Sequence, residues 1–238
     1  MRHSANSPLR AVALTGMALS MGLFSACHRH AKHEHGSAEH HMHRSSFDEL
    51  VKHFEDPARD EWQKPQAVLA LIATHVKKQK LTSPVIADLG AGTGYFSFRL
   101  LDAGYTVKAL DLDGKFIAYM QERAEKHKRR DQFEVRKVTT ESANLKDAEA
   151  DVILSVNVYH HIENRVEYFR RLKPALRGVN PLLVIIDFKD GDIPMGPPAH
   201  IKVPTATIVT ELTQAGYRVT SDASTLPYQT IFFATPVK

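Results

Sequence analysis

From about residue 65 onward, apolar positions in this chain alternate between a helical and a strand-like period. Gln66 to Lys78, entered through Pro65, repeats Val68, Leu69, Leu71, Ile72 and Val76 on one side of a helix. Val85 to Leu89 is a short buried strand, followed by a glycine turn and a helix through Phe96, Phe98, Leu100 and Leu101 that ends near Gly104. Thr106 to Leu110 is the next strand. Phe116, Ile117, Met120 and Ala124 then mark a helix face, and Phe133 to Val138 alternates as a third strand. Asp151 to Val156 is nearly all apolar, as a central strand should be. A helix over Glu163 to Leu176 carries Pro174, which should end or kink its last turn. Leu182 to Ile186, a helix over Thr205 to Ala215, and strands near Tyr217 to Ser221 and Thr230 to Ala234 complete the series. Helices interleaved with strands predict an α/β fold: a doubly wound, mostly parallel, seven-stranded Rossmann-like sheet with helices on both faces.

Before residue 65 the pattern changes. Arg2 and Arg10 flank the start of an apolar stretch, Ala11 to Phe24, which is too short to span a bilayer and of the right length for an export signal. Seven histidines follow within residues 28 to 43 (His28, His30, His33, His35, His40, His41, His43). The division expected is a signal segment over 1–27, a His-rich linker over 28–46, and one domain over 47–238 whose N-terminal segment, 47–80, is a lid. Within that part, Asp56 to Pro65 mixes charge with the only tryptophan, Trp62. Imidazoles can capture Zn, Cu or Ni weakly, although this spacing sets no defined geometry.

Charge alters the picture little. Residues 1 to 44 hold five Lys/Arg against two acids, leaving 26 basic and 25 acidic residues in the rest. A near-neutral folded part offers no broad footprint for a phosphate backbone, so nucleic acid is not an expected partner. With one cysteine, Cys27, no disulfide forms within the chain.

The most informative segment is Asp88-Leu89-Gly90-Ala91-Gly92-Thr93-Gly94-Tyr95-Phe96, which joins the first strand to its helix. Glycines let the chain turn sharply and let a ligand lie against backbone, while the next helix starts with unpaired N–H groups. A dinucleotide fingerprint would place glycine where Tyr95 stands. A second acid, Asp111, follows the second strand, where a carboxylate can accept bonds from two ribose hydroxyls.

The acid and G-x-G-x-G spacing resemble motif I of the class I S-adenosylmethionine (SAM) dependent methyltransferases. That resemblance implies SAM as cofactor, with the glycine turn against its homocysteine part and Asp88 toward its amino acid end. It assigns cofactor contacts to Asp88, Gly90, Ala91, Gly92, Gly94, Asp111, Leu112 and Asn157. Ser155 to Ile162 looks like the segment of small-molecule methyltransferases that faces the methyl group. Tyr159, His160 and His161 are therefore candidates for a general base, or else loop hydrogen-bond partners. Gly178-Val179-Asn180-Pro181 replaces the familiar Pro-Gly-Gly of the family, and Thr139-Thr140-Glu141 stands where an adenine-binding acid is common. Leu23 to Cys27 resembles a bacterial lipoprotein signal, implying a lipid anchor on Cys27 and a place on the periplasmic side of a membrane, or the cytoplasm if the signal is unused.

Little sequence remains for a separate substrate domain, so the expected acceptor is a small molecule. Two readings stand: a methyltransferase, or a module of the same fold that binds a ligand or partner without turnover.

Overall fold

The computed structural model describes residues 45–237. The signal segment with Cys27, and the His-rich linker as far as residue 44, lie outside the described residues. Three helices open the domain: α1 (Phe47–Phe54), α2 (Arg59–Gln63) and α3 (Pro65–Lys78). Strands and helices then alternate: β1 (Val85–Leu89), α4 (Tyr95–Asp102), β2 (Thr106–Asp111), α5 (Gly114–Glu125), β3 (Phe133–Lys137) and β4 (Val152–Val156). The chain continues through α6 (Arg165–Leu172), β5 (Leu182–Phe188), α7 (Thr205–Gln214), β6 (Tyr217–Asp222) and β7 (Gln229–Pro236).

The strands form one seven-stranded sheet in the order β3-β2-β1-β4-β5-β7-β6. The first five run parallel, and β7 is antiparallel to both β5 and β6. This is the doubly wound Rossmann-like sheet the pattern predicts. One face buries Val68, Leu69 and Ile72 of α3, Phe96, Leu100 and Leu101 of α4, and Met120 of α5. The other buries Tyr168, Phe169 and Leu172 of α6 with Ile208 and Leu212 of α7. The inner strands β1, β2, β4, β5 and β7 therefore supply apolar residues to both sides, as the unbroken runs in β4 and β5 require, while the edge strands β3 and β6 supply one side each.

Two local departures have clear causes. Helix α6 stops at Leu172 and passes into a 3-10 turn at Lys173–Ala175, because Pro174 has no N–H to continue the ladder. The segment before Pro65 is helical too. Ser46 and Glu49 form a reciprocal cap that starts α1. Because α3 is bedded in the core, the part that lies across the strand ends is 47–63, shorter than the 47–80 expected.

Strand order reverses between β1 and β4, and the carboxyl ends of β2, β1, β4 and β5 are level: Leu89 pairs with Leu110 and Ser155, and Val156 with Ile186. In open α/β sheets the crevice at this reversal holds the ligand.

Candidate active site

The turn after β1 is tied down by its own backbone. The N–H groups of Gly90 and Ala91 both donate to the Leu110 carbonyl, at 2.8 and 3.0 Å. Gly90, Gly92 and Gly94 all hold positive φ, with Gly94 capping α4. At Gly90 the need is also spatial, since a Cβ there would lie 2.2 Å from a Val158 methyl. The turn thus packs directly on the loop after β4.

Asp111, buried at the end of β2, faces this turn. Its Oδ2 accepts from Gly92 N at 2.7 Å and its Oδ1 from Asp113 N at 2.9 Å. Both oxygens keep a free lone pair while the backbone holds the carboxylate in place. Burial raises its pKa, and backbone bonds from Asp113, Gly92 and Leu112 oppose that rise. The next residue, Leu112, exposes its apolar side chain (42% exposed), a surface suited to a flat base. Thr139 to Glu141 lie close in sequence to the buried Val138, whose N–H bonds the Asp111 carbonyl, but they are exposed and bonded among themselves.

Asp88 is almost fully buried under the turn. Its Oδ2 accepts from Ser97 Oγ at 2.6 Å, and burial pushes its pKa up to about 6 despite that bond. The nearby Asp111 charge adds to the rise and Arg59 opposes it.

Arg59, which sequence reasoning did not single out, comes from α2. Its guanidinium lies 3.9 Å from the Tyr95 ring centroid, and its Nη1 donates to the Phe54 carbonyl at 2.9 Å. Its Nε is buried and has no partner. Burial lowers its pKa to about 10. Thr93 Oγ1, in the glycine turn, is likewise buried without a partner. Unmatched polar atoms are costly, so a cationic donor and a hydroxyl left open beside Asp88 are what a zwitterionic amino acid group would satisfy. The residues fit SAM.

Helices α1 and α2 cover this crevice. Phe47 and Phe54 pack on Phe116 of α5, with ring centroids 5.2 and 5.6 Å apart, and Phe54 lies 3.5 Å from where a Gly92 Cβ would be. Asp60 holds Arg99 at 3.0 Å and accepts from the Tyr95 hydroxyl. The end of α2 is held by buried amides: Gln63 donates to Gln229 Oε1 at 2.6 Å, and Gln229 donates to Asn157 Oδ1. Asn157, in the left-handed region (φ 60°), is thereby joined to the covering helix and to β7.

The three candidate bases part company in the short turn Tyr159–His161. Tyr159 points to the α6–α7 side of the sheet, where its hydroxyl donates to Glu211 at 2.7 Å and its ring stacks on Phe169. Burial and that bond raise its pKa. His160 turns instead to the end of β5: Nδ1 lies 2.9 and 3.0 Å from the two carboxylate oxygens of Asp187. Both side chains are almost completely buried (4% and 2% exposed). His161 lies beside it, ring centroids 4.2 Å apart, and burial followed by the neighbouring His160 lowers its pKa to about 4. Phe188, next along β5, sits 6.0 Å from the His160 ring and 6.3 Å from Trp62 of α2. Among the described residues, no group of three or more His, Cys, Asp or Glu is placed to hold a metal, and no helix is long and apolar enough to cross a membrane.

Residues 87–178, from β1 to the turn before β5, match the family model of a methyltransferase domain. No curated protein matches the chain in sequence. Among solved structures, a SAM dependent methyltransferase from Aquifex aeolicus is similar at 24% identity and a TM-score of 0.69, covering 81% of this chain and 100% of its own. A magnesium protoporphyrin IX methyltransferase from Synechocystis PCC 6803, solved with bound SAH, is 20% identical with a TM-score of 0.55, over 73% of this chain and 84% of that one. A glycopeptide N-methyltransferase complexed with SAM is 14% identical with a TM-score of 0.54, over 69% of this chain and 87% of that one. The fold is the Rossmann-like methyltransferase fold. Residues 87–178 carry the match to a methyltransferase domain.

Proposed function

We propose that this protein transfers the methyl group of SAM to a small-molecule acceptor by in-line attack. The observation that carries the reading is that the glycine turn has Asp111 oriented by Gly92 N–H together with a buried, unmatched Thr93 Oγ1 of the turn itself and a buried, unmatched Arg59 Nε over Tyr95, the first residue after it. In this reading Asp111 accepts the ribose hydroxyls and Leu112 packs on adenine. Gly90, Ala91, Gly92 and Gly94 line the homocysteine part. Asp88 and Arg59 take the ammonium and carboxylate, and Asn157 borders the sulfonium. SAM supplies an already activated methyl, so the protein's own contribution is to align the acceptor and exclude water, which the cover of α1 and α2 favours.

A small acceptor is favoured because the described chain is used up by the sheet, its helix layers and a cover of 17 residues, 47–63. Titration calorimetry with SAM on the full chain tests the cofactor site. Wild type should bind in the micromolar range and Asp111→Ala should bind at least about tenfold more weakly, the loss of roughly one charge-assisted bond. Equal affinity in the two proteins, or no binding by either, would rule the site out.

The same reading includes a lipid anchor on Cys27, with the domain on the periplasmic side, and weak metal capture by the His-rich linker. Both rest on the sequence.

A further inference from the structure

Nothing in cofactor binding needs the pair His160 and Asp187. The Asp187 carboxylate is buried near the end of β5, and among the described residues the only basic side chain within ion-pair distance of it is His160. Its remaining bonds come from backbone: His160 N at 3.2 Å and Phe188 N at 2.7 Å. A structural acceptor of these bonds could be a neutral amide. A buried carboxylate has a different consequence. It holds the proton of the imidazole on Nδ1 and leaves the lone pair on Nε2. Nε2 has no hydrogen-bond partner among the described residues. Phe188 stands 6.0 Å from this ring and Trp62 6.3 Å from Phe188, so the two form an aromatic wall, and the loop after β5 closes on Phe188, where a Cβ on Gly196 would meet its ring at 2.5 Å. Flat aromatic rings pack well on such a wall.

We propose that the acceptor is an aryl hydroxyl, that His160 Nε2 removes its proton during methyl transfer, and that Asp187 positions His160. This rests on the methyltransferase reading above. In the step, the O–H bond breaks and its proton passes to Nε2. The oxygen lone pair forms the O–CH3 bond, and the S–CH3 bond breaks with its electron pair left on sulfur. The products are the aryl methyl ether, neutral S-adenosylhomocysteine and an imidazolium that returns its proton to solvent. A phenol, with a pKa of about 10, is a weak nucleophile at neutral pH unless a base is at hand. A thiophenol is already ionised, and an aniline attacks with its own lone pair, so neither has the same need.

The test uses the full chain, SAM labelled in the methyl group, and phenol, aniline and thiophenol as rings of one shape. Trp62 is the single tryptophan, so its fluorescence reports ring binding without SAM or turnover. Saturable quenching by phenol and protein-dependent labelling of phenol above the other two are expected. His160→Ala should lower kcat at least about 100-fold with little change in KM, the usual loss of a general base. Asp187→Asn should do the same while leaving Trp62 quenching intact, and Asp187→Glu should recover part of the rate, which a purely structural loss would not show. The inference is overturned if a SAM-binding protein labels no phenol, labels aniline or thiophenol in preference, or keeps its kcat in His160→Ala. It is also overturned if none of the rings alters Trp62 emission. Failure to bind SAM at all would instead strike the underlying reading.

Discussion

At the scale of single residues, the site concentrates groups that folding alone would not choose. Asp88 is the clearest. Its folded pKa of about 6 lies above the unfolded value near 4, because burial penalises the ionised form. The sign follows: the folded state carries no penalty at pH 4, where the acid is protonated, and loses stability as pH rises through about 6. Asp88→Asn should therefore stabilise the cofactor-free protein by about 2 kcal/mol at pH 7.5 and hardly at all at pH 4. Thermal unfolding at the two pH values checks this, and an equal change at both would separate the effect from ionisation. If Asp88 takes the SAM ammonium, the same variant binds SAM more weakly, and wild-type affinity rises with pH through about 6. Asp88, the three glycines and Asp111 were legible because they lie within 24 residues on two consecutive strands. Arg59 and Asp187 were harder to see, since each acts on a partner 27 or more residues away: Arg59 on Tyr95 and Asp88, Asp187 on His160. One signal did exist. Asp187 ends an apolar strand just as Asp111 does, and an acid in that position faces the crevice.

At the scale of elements, periodicity located every strand and the helices of the two layers, because each buries an apolar stripe. It was weakest for 47–63, where the helices bury little. Phe47, Leu50, Val51 and Phe54 do keep the i, i+3, i+4, i+7 spacing, and Ser46 with Glu49 is a readable start signal. What the sequence could not convey is where this segment lies, since that is set by Phe116, Arg99 and Gln229, 39 to 166 residues away. The segment is pinned at both ends, by aromatic packing on α5 and by the buried amides, with the crevice between. Phe54 is the contact nearest the glycine turn, so trimming it should loosen the cover without dismantling the core. Phe54→Ala is expected to raise the SAM dissociation rate about tenfold, roughly 1.4 kcal/mol, with a small loss of thermal stability. Stopped-flow release of bound SAM measures it. An unchanged release rate would mean that α1 does not gate the cofactor.

At the scale of the whole molecule, the sheet order and the chemistry agree, while the first 27 residues pull in another direction. SAM is made in the cytosol, yet the proposal of a lipid anchor reads Ala11 to Cys27, by resemblance, as an export signal ending in a lipidation site. One acyl chain binds membranes only marginally, so firm anchoring through Cys27 calls for the multiple chains of a processed lipoprotein. The net charge of +4 offers a rival cause for membrane association, and salt distinguishes the two, since charge attraction is screened and acyl burial is not. In a bacterial host that processes lipoproteins, the full chain should stay with the membrane fraction through a wash at 1 M salt and come off in detergent. Cys27→Ser should move it to the soluble fraction. An unchanged membrane share in that variant would remove Cys27 as the anchor. The outcome bears on the site as well. If the anchored domain faces away from the cytosol, the SAM affinity measured by calorimetry must be weighed against the SAM present in that compartment, and tight binding with slow release through the α1–α2 cover becomes the property that keeps the domain loaded.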